Sequence, residues 1–171
     1  NFEAGIYGVA YRFLEAIIFV PGALATALFP IMAKLHDQAP SKIGKIYFSS
    51  IFILGFLGVL IAIGYILIIP VVIKAFLPHY LSSITAIKIL ALAIPFIFIH
   101  IPGAQVLLST DKFLKPILLL SILTLSLNIV LNLIFIPKYG FLAAAWITVA
   151  SEILTLVVFF RLLQVKVLNK K

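Results

Sequence analysis

The chain has 171 residues, 64% of them hydrophobic and only 11% charged, with a mean hydropathy of +1.29; soluble domains run at about 45–50% apolar and about 25% charged, so water is excluded as its main solvent. The formal charge of +8 comes from short basic clusters between apolar runs, not from an aromatic-studded basic face, so no nucleic-acid partner is expected. The absence of cysteine excludes disulfides, thiol catalysis and Cys-ligated zinc.

A helix needs about 20 apolar residues to cross a hydrocarbon core about 30 Å thick. By that measure the chain reads as an all-α, polytopic integral membrane helical bundle of about five transmembrane helices. It forms a single membrane domain over 1–171, with spans near 6–33, 46–76, 84–108, 117–136 and 141–163 and a cytoplasmic tail at 164–171. The chain opens Asn1-Phe2-Glu3-Ala4-Gly5, with no basic n-region and no cleavage site, and is expected to be a fragment lacking its N-terminal part.

The first run carries Arg12, Glu15, Pro21, Gly22 and Pro30 and leads into the most polar stretch of the chain, Lys34 to Lys45. The second contains Gly55, Gly58 and Gly64 ahead of Pro70, where a tilt or break is expected. Leu77 to Ser83 forms a turn. The third run holds Pro95 and Pro102-Gly103, and a kink is predicted at each proline because each removes an intrahelical hydrogen bond. The fourth ends on the breaker cluster Pro137-Lys138-Tyr139-Gly140, a turn so short that the fifth helix should lie antiparallel beside the fourth.

Lys and Arg alternate with the spans. Lys34, Lys42, Lys45, Lys112, Lys115, Arg161, Lys166, Lys170 and Lys171 fall in one set of connections, against Lys74 and Lys138 in the other. The positive-inside rule then places the first residue outside and the C-terminus in the cytoplasm.

A charge at membrane depth costs about 2.5–3.5 kcal/mol on insertion scales, so each one requires an explanation. Arg12 and Glu15 are neighbours on one helical face, which fits either a self-neutralising pair or a cation facing a water-filled cavity. Glu152 lies near mid-membrane with no basic residue within a turn, on a small and polar face with Ala144, Thr148, Ser151 and Thr155. That face reads equally as a tight helix contact holding a protonated Glu and as a cavity wall. Ser121, Thr124, Asn128 and Asn132 form a similar stripe on the fourth helix, and Asn128 and Asn132 are expected to make structural interhelical hydrogen bonds. His100 and Gln105 flank Pro102, where a kink would free carbonyls for a polar ligand; a structural role is the commoner one for such a pair. No HExxH, GxSxG, P-loop or paired-aspartate signature is present, so no enzyme activity and no cofactor are expected.

Three stretches carry a resemblance to a known family. Gly5-Ile6-Tyr7-Gly8-Val9-Ala10-Tyr11-Arg12, followed by Pro21 to Pro30, resembles the eighth helix of polysaccharide (O-antigen type) flippases of the multidrug/oligosaccharidyl-lipid/polysaccharide exporter superfamily. Leu90 to Ser109 is similar to that family's tenth helix. Asn128 to Gly140, with Ala143-Ala144-Ala145 and Ser151-Glu152, resembles its last two helices.

The resemblance implies the C-terminal part of a twelve-helix exporter fold with two pseudo-symmetric halves around a central cavity. The implied activity is the flipping of lipid-linked, undecaprenyl-diphosphate type glycans across the cytoplasmic membrane by alternating access, with sodium or protons as coupling ion. Arg12 matches a cavity arginine of the related lipid II flippases, and the expected substrate-binding residues are Arg12, Glu15, Gln105 and Glu152. The alternatives are a multidrug or cation antiporter of the same superfamily, an integral-membrane enzyme acting on polyprenyl-linked sugars, and a structural membrane subunit.

Overall fold

A computed structural model describes residues 2–164. Residues 165–171, which hold most of the expected tail and Lys166, Lys170 and Lys171 of the charge count, lie outside the described residues. Six α-helices follow in order: α1 (Phe2–Gln38), α2 (Ile43–Phe76), α3 (Ser83–Ala91), α4 (Ile94–Leu108), α5 (Leu114–Tyr139) and α6 (Phe141–Leu163). Short 3-10 turns at Pro40–Lys42, Pro78–Tyr80 and Asp111–Phe113 complete the connections, and there is no strand among the described residues. Helices are the answer lipid imposes on such a sequence, because they satisfy their backbone polar groups within one segment. Four of them are long and apolar enough to cross a bilayer, and α3 with α4 makes a fifth span if the pair, bent by 43°, is counted as one. The protein is an all-α polytopic membrane bundle.

Three hydrogen bonds align the helices end to end. The buried Ser83 Oγ at the start of α3 donates to the Ile6 carbonyl at 2.8 Å, and Tyr65 Oη on α2 donates to the Phe13 carbonyl at 2.8 Å. At the opposite end, His36 Nε2 lies 3.2 Å from the Val106 carbonyl. The start of α1, the end of α2 and the start of α3 therefore share one end of the bundle with the α5–α6 turn, which also carries Lys74 and Lys138. Lys34, Lys42, Lys45, Lys112, Lys115 and Arg161 gather at the other end.

The prolines behave differently from one another. Proline's ring clashes with the carbonyl four residues upstream, and for Pro95 that residue is Ala91, where α3 stops; the chain bends at Leu92–Ala93 and α4 restarts with Pro95 in its first turn. Pro102, by contrast, stays inside α4, and Pro70 stays inside α2, so the helical segment runs unbroken through both. Pro102 is buried, and beside it Gly103 lies so close to α6 that a Cβ would sit 3.0 Å from Leu163 Cδ1.

The apolar interior falls into two clusters. One joins Ala10 and Leu14 of α1, Leu54 of α2, Leu90, Ile94 and Phe98 of α3–α4, and Ala145 and Val149 of α6. The other, toward the basic end, joins Met32, Tyr47, Val106, Leu107, Phe159 and Leu163. The α2–α4 seam is closely packed: a Cβ on Gly58 would lie 3.0 Å from both Phe98 Cβ and Pro95 Cα. Small residues bring membrane helices close in this way because lipid supplies no hydrophobic drive between them. α5 has no buried residue, leans mainly on α6, and exposes Leu118, Leu119, Leu125 and Leu133.

Candidate functional site: a polar cleft between α1, α5 and α6

Residues four apart line one side of a helix. On α1 that spacing aligns Glu3, Tyr7 and Tyr11; on α5 it aligns Asn128 and Asn132; on α6 it aligns Ala144, Thr148 and Glu152, with Ser151 beside them. The fold turns these three stripes toward one another. Together they line a cleft of about 540 Å³, with Ile136 and Phe141 joining the lining near the α5–α6 turn.

Hydrogen bonds set the register of the walls. Thr148 Oγ1 donates to the Ala144 carbonyl at 3.0 Å, which leaves its oxygen to accept from the Tyr7 hydroxyl at 3.3 Å. That contact places α1 and α6 side by side and parallel, so Glu3 lies level with the α5–α6 turn and Tyr11 level with Glu152. Asn128 Nδ2 donates across to Ser151 Oγ at 3.2 Å, the interhelical bond expected of that residue. Asn132 instead bonds within its own helix, donating to the Asn128 carbonyl and Oδ1 at 2.9 and 2.8 Å. Its own Oδ1 is buried and has no hydrogen-bond partner among the described residues. A buried acceptor of this kind is unusual and calls for an explanation. Thr124 and Thr155 bond back to their own helices and stay off the cleft.

At the deep end, Glu152 Oε2 lies 3.3 Å from His100 Nδ1 of α4. The two groups are close but not aligned as a hydrogen bond, and His100 stands behind Glu152 without lining the cleft. His100 also meets Phe159 edge-on, with ring centroids 5.9 Å apart. Glu152 therefore has a basic neighbour, supplied from 52 positions away in sequence, which local spacing does not reveal. The carboxylate of Glu3 reaches the α5–α6 turn: a Cβ on Gly140, whose φ is +66°, would meet Glu3 Oε2 at 3.5 Å.

The four expected substrate-binding residues do not come together. Glu152 lines the cleft. Gln105 lines a separate recess of about 400 Å³ with Gly22, Ala25, Thr26, Phe29 and Ile101. Arg12 and Glu15 pair on α1, with Arg12 Nε 3.9 Å from Glu15 Oε2 and the Arg12 side chain 86% exposed, on a face that none of the described helices covers. Neither residue lines the cleft. The residues that spacing did not single out are Glu3, Tyr7 and Tyr11; their four-residue spacing was a readable signal, but Glu3 precedes the first apolar run. Among the described residues no group of three or more His, Cys, Asp or Glu is placed to hold a metal ion.

Fold and site together define a multi-pass, all-α membrane protein with a polar cleft between three of its helices. Its relatives say little more. The chain is 28% identical, over 182 aligned positions that include all of it, to a protein of Methanocaldococcus jannaschii described as an uncharacterized membrane protein. It spans 35% of that relative's length. No family model matches the chain, and no solved structure matches it.

Proposed function

We propose that the chain forms part of a membrane transporter that flips lipid-linked oligosaccharide or polysaccharide precursors across the cytoplasmic membrane by alternating access, and that it performs no enzymatic step. The observation that carries the reading is the polar cleft that α1, α5 and α6 build in a bundle of otherwise strongly apolar helices. Polar groups at membrane depth mark substrate and ion pathways, and this cleft is open to a solute along a wall of three helices. The relative's greater length agrees with a larger transporter in which further helices supply the opposite wall. The resemblance of the last two helices to polysaccharide flippases supplies the cargo class, an undecaprenyl-diphosphate-linked glycan, with sodium or protons as coupling ion.

The uncovered Arg12 fits a role toward that opposite wall. A guanidinium keeps its charge at physiological pH and grips phosphate oxygens bidentately, which Lys does not. In the full-length protein, Arg12→Ala is expected to abolish translocation of a lipid-linked sugar in proteoliposomes without loss of abundance, and Arg12→Lys to keep part of the activity. Transport restored by the double change Arg12→Ala with Glu15→Ala would show that Arg12 only neutralises its neighbour and would overturn the diphosphate role.

The charge asymmetry between the two ends of the bundle supports a cytoplasmic location for the Lys42 end and the C-terminus. Single cysteines at Lys42 and His79 should label from opposite sides of intact cells; equal labelling from outside contradicts this orientation.

One observation favours a second reading, a drug or cation antiporter: the charged residues lining the cleft, Glu3 and Glu152, are both acidic. Efflux of a cationic dye by vesicles that fail to move lipid-linked sugar would select it.

A further inference from the structure

Resting on the flippase reading, we propose that the α1–α5–α6 cleft is the subsite for the uncharged, hydroxyl-rich sugar of the cargo, and that it excludes the diphosphate and acidic sugars.

The lining carries the argument. Neither Lys nor Arg is among the residues that line the cleft, and both charged residues there are carboxylic acids. An anionic group brought into the cleft meets carboxyl groups and no Lys or Arg on the lining, an arrangement that disfavours like charge. The diphosphate is therefore placed outside the cleft, and Arg12, next in sequence to Tyr11, presents an exposed guanidinium on another face of α1.

A compact cation is a poorer occupant than a sugar for a geometric reason. The parallel register set by Tyr7 and Thr148 puts Glu3 at the α5–α6 turn and Glu152 level with Tyr11. Eight residues of helix separate those levels, roughly 12 Å at 1.5 Å per residue, so one small ion does not contact both acids. Between them the wall is a run of neutral donors and acceptors, Asn128, Asn132, Thr148 and Ser151, with the rings of Tyr7 and Tyr11 opposite. Distributed hydroxyl and amide groups match a ligand with distributed hydroxyls. The tyrosine rings, with centroids 5.9 Å apart and planes tilted by 33°, offer electron-rich faces to the electropositive C–H face of a pyranose. The volume, about 540 Å³, falls within the range of about 300–1,000 Å³ common to small-molecule sites.

The test uses the full-length protein in lipid nanodiscs and three probes: undecaprenyl diphosphate alone, the same lipid carrying N-acetylglucosamine, and the same lipid carrying glucuronic acid. Affinities are read by microscale thermophoresis. The neutral glycolipid is expected to bind about tenfold more tightly than the acidic one, because like-charge contact disfavours the uronate. Glu3→Gln combined with Glu152→Gln should bring the two together. Tyr11→Ala and Asn128→Ala should lower the ratio of neutral-glycolipid to bare-lipid affinity. Equal wild-type affinities for the two glycolipids, or variants that leave that ratio unchanged, would overturn the subsite while binding of the bare lipid upheld the flippase reading. Failure of all three lipids to bind would overturn both. The wild-type comparison needs no substitution, so it stands even if a variant misfolds.

Discussion

The α2–α4 seam and the α1–α5–α6 cleft are both contacts between membrane helices of similar composition, yet one closes to van der Waals distance and the other stays open. At the seam, Gly55 and Gly58 withdraw their side chains, and Pro95, Phe98 and Ile99 fill the space directly. At the cleft, every wall presents a polar or aromatic side chain at four-residue spacing, and only two hydrogen bonds among the described residues cross it, Tyr7 to Thr148 and Asn128 to Ser151. The contrast separates two uses of non-leucine residues in a bilayer. Small residues draw helices together, whereas facing polar stripes hold space between them and keep unspent hydrogen-bonding capacity, as at Asn132 Oδ1.

Substitutions at the two places should therefore fail in different ways. The largest effect is expected at the seam: Gly58→Leu drives side-chain atoms into Phe98 and the Pro95 backbone, and such overpacking costs about 1–3 kcal/mol. Thermal unfolding in detergent should show a clear loss of stability, and a variant as stable as the parent would mean the seam opens without penalty. A smaller effect on stability is expected in the cleft. Asn128→Ala removes one interhelical hydrogen bond, a contribution averaging about 0.6 kcal/mol in membrane proteins, yet it should reduce transport by the full-length protein. Loss of stability comparable to that of Gly58→Leu, with transport per folded molecule unchanged, would make Asn128 a structural residue and erase the distinction.

The apolar runs that became helices, and the polar stripes on α5 and α6, were legible because both are periodic in one segment. The Arg12–Glu15 pair was legible for the same reason, its members standing three residues apart on one face. The bend of the third span was legible at Pro95, one of the two prolines at which a kink is expected, and a proline's effect depends on where the freed backbone sits. Pro95 disturbs Ala91 at the end of α3, while Pro102 is buried inside α4 beside Gly103, which lies against Leu163 and Tyr47. The meeting of Glu152 with His100, and of the α1 stripe with α5 and α6, is a tertiary event between distant segments, and periodicity within one helix carries no record of it.

In a full-length protein freed of cysteines outside this chain, which itself contains none, single cysteines report directly whether the cleft is the route of the cargo. The central claim is tested by introducing Thr148→Cys in the cleft and Ile94→Cys at the fully buried seam end of α4, then reacting the full-length protein in membranes with a small, membrane-impermeant, polar thiol reagent. The account predicts that Cys at position 148 reacts, that undecaprenyl diphosphate carrying N-acetylglucosamine protects it, and that Cys at position 94 does not react. Equal reactivity at both positions, or labelling at position 148 that the lipid-linked sugar leaves untouched, would contradict it.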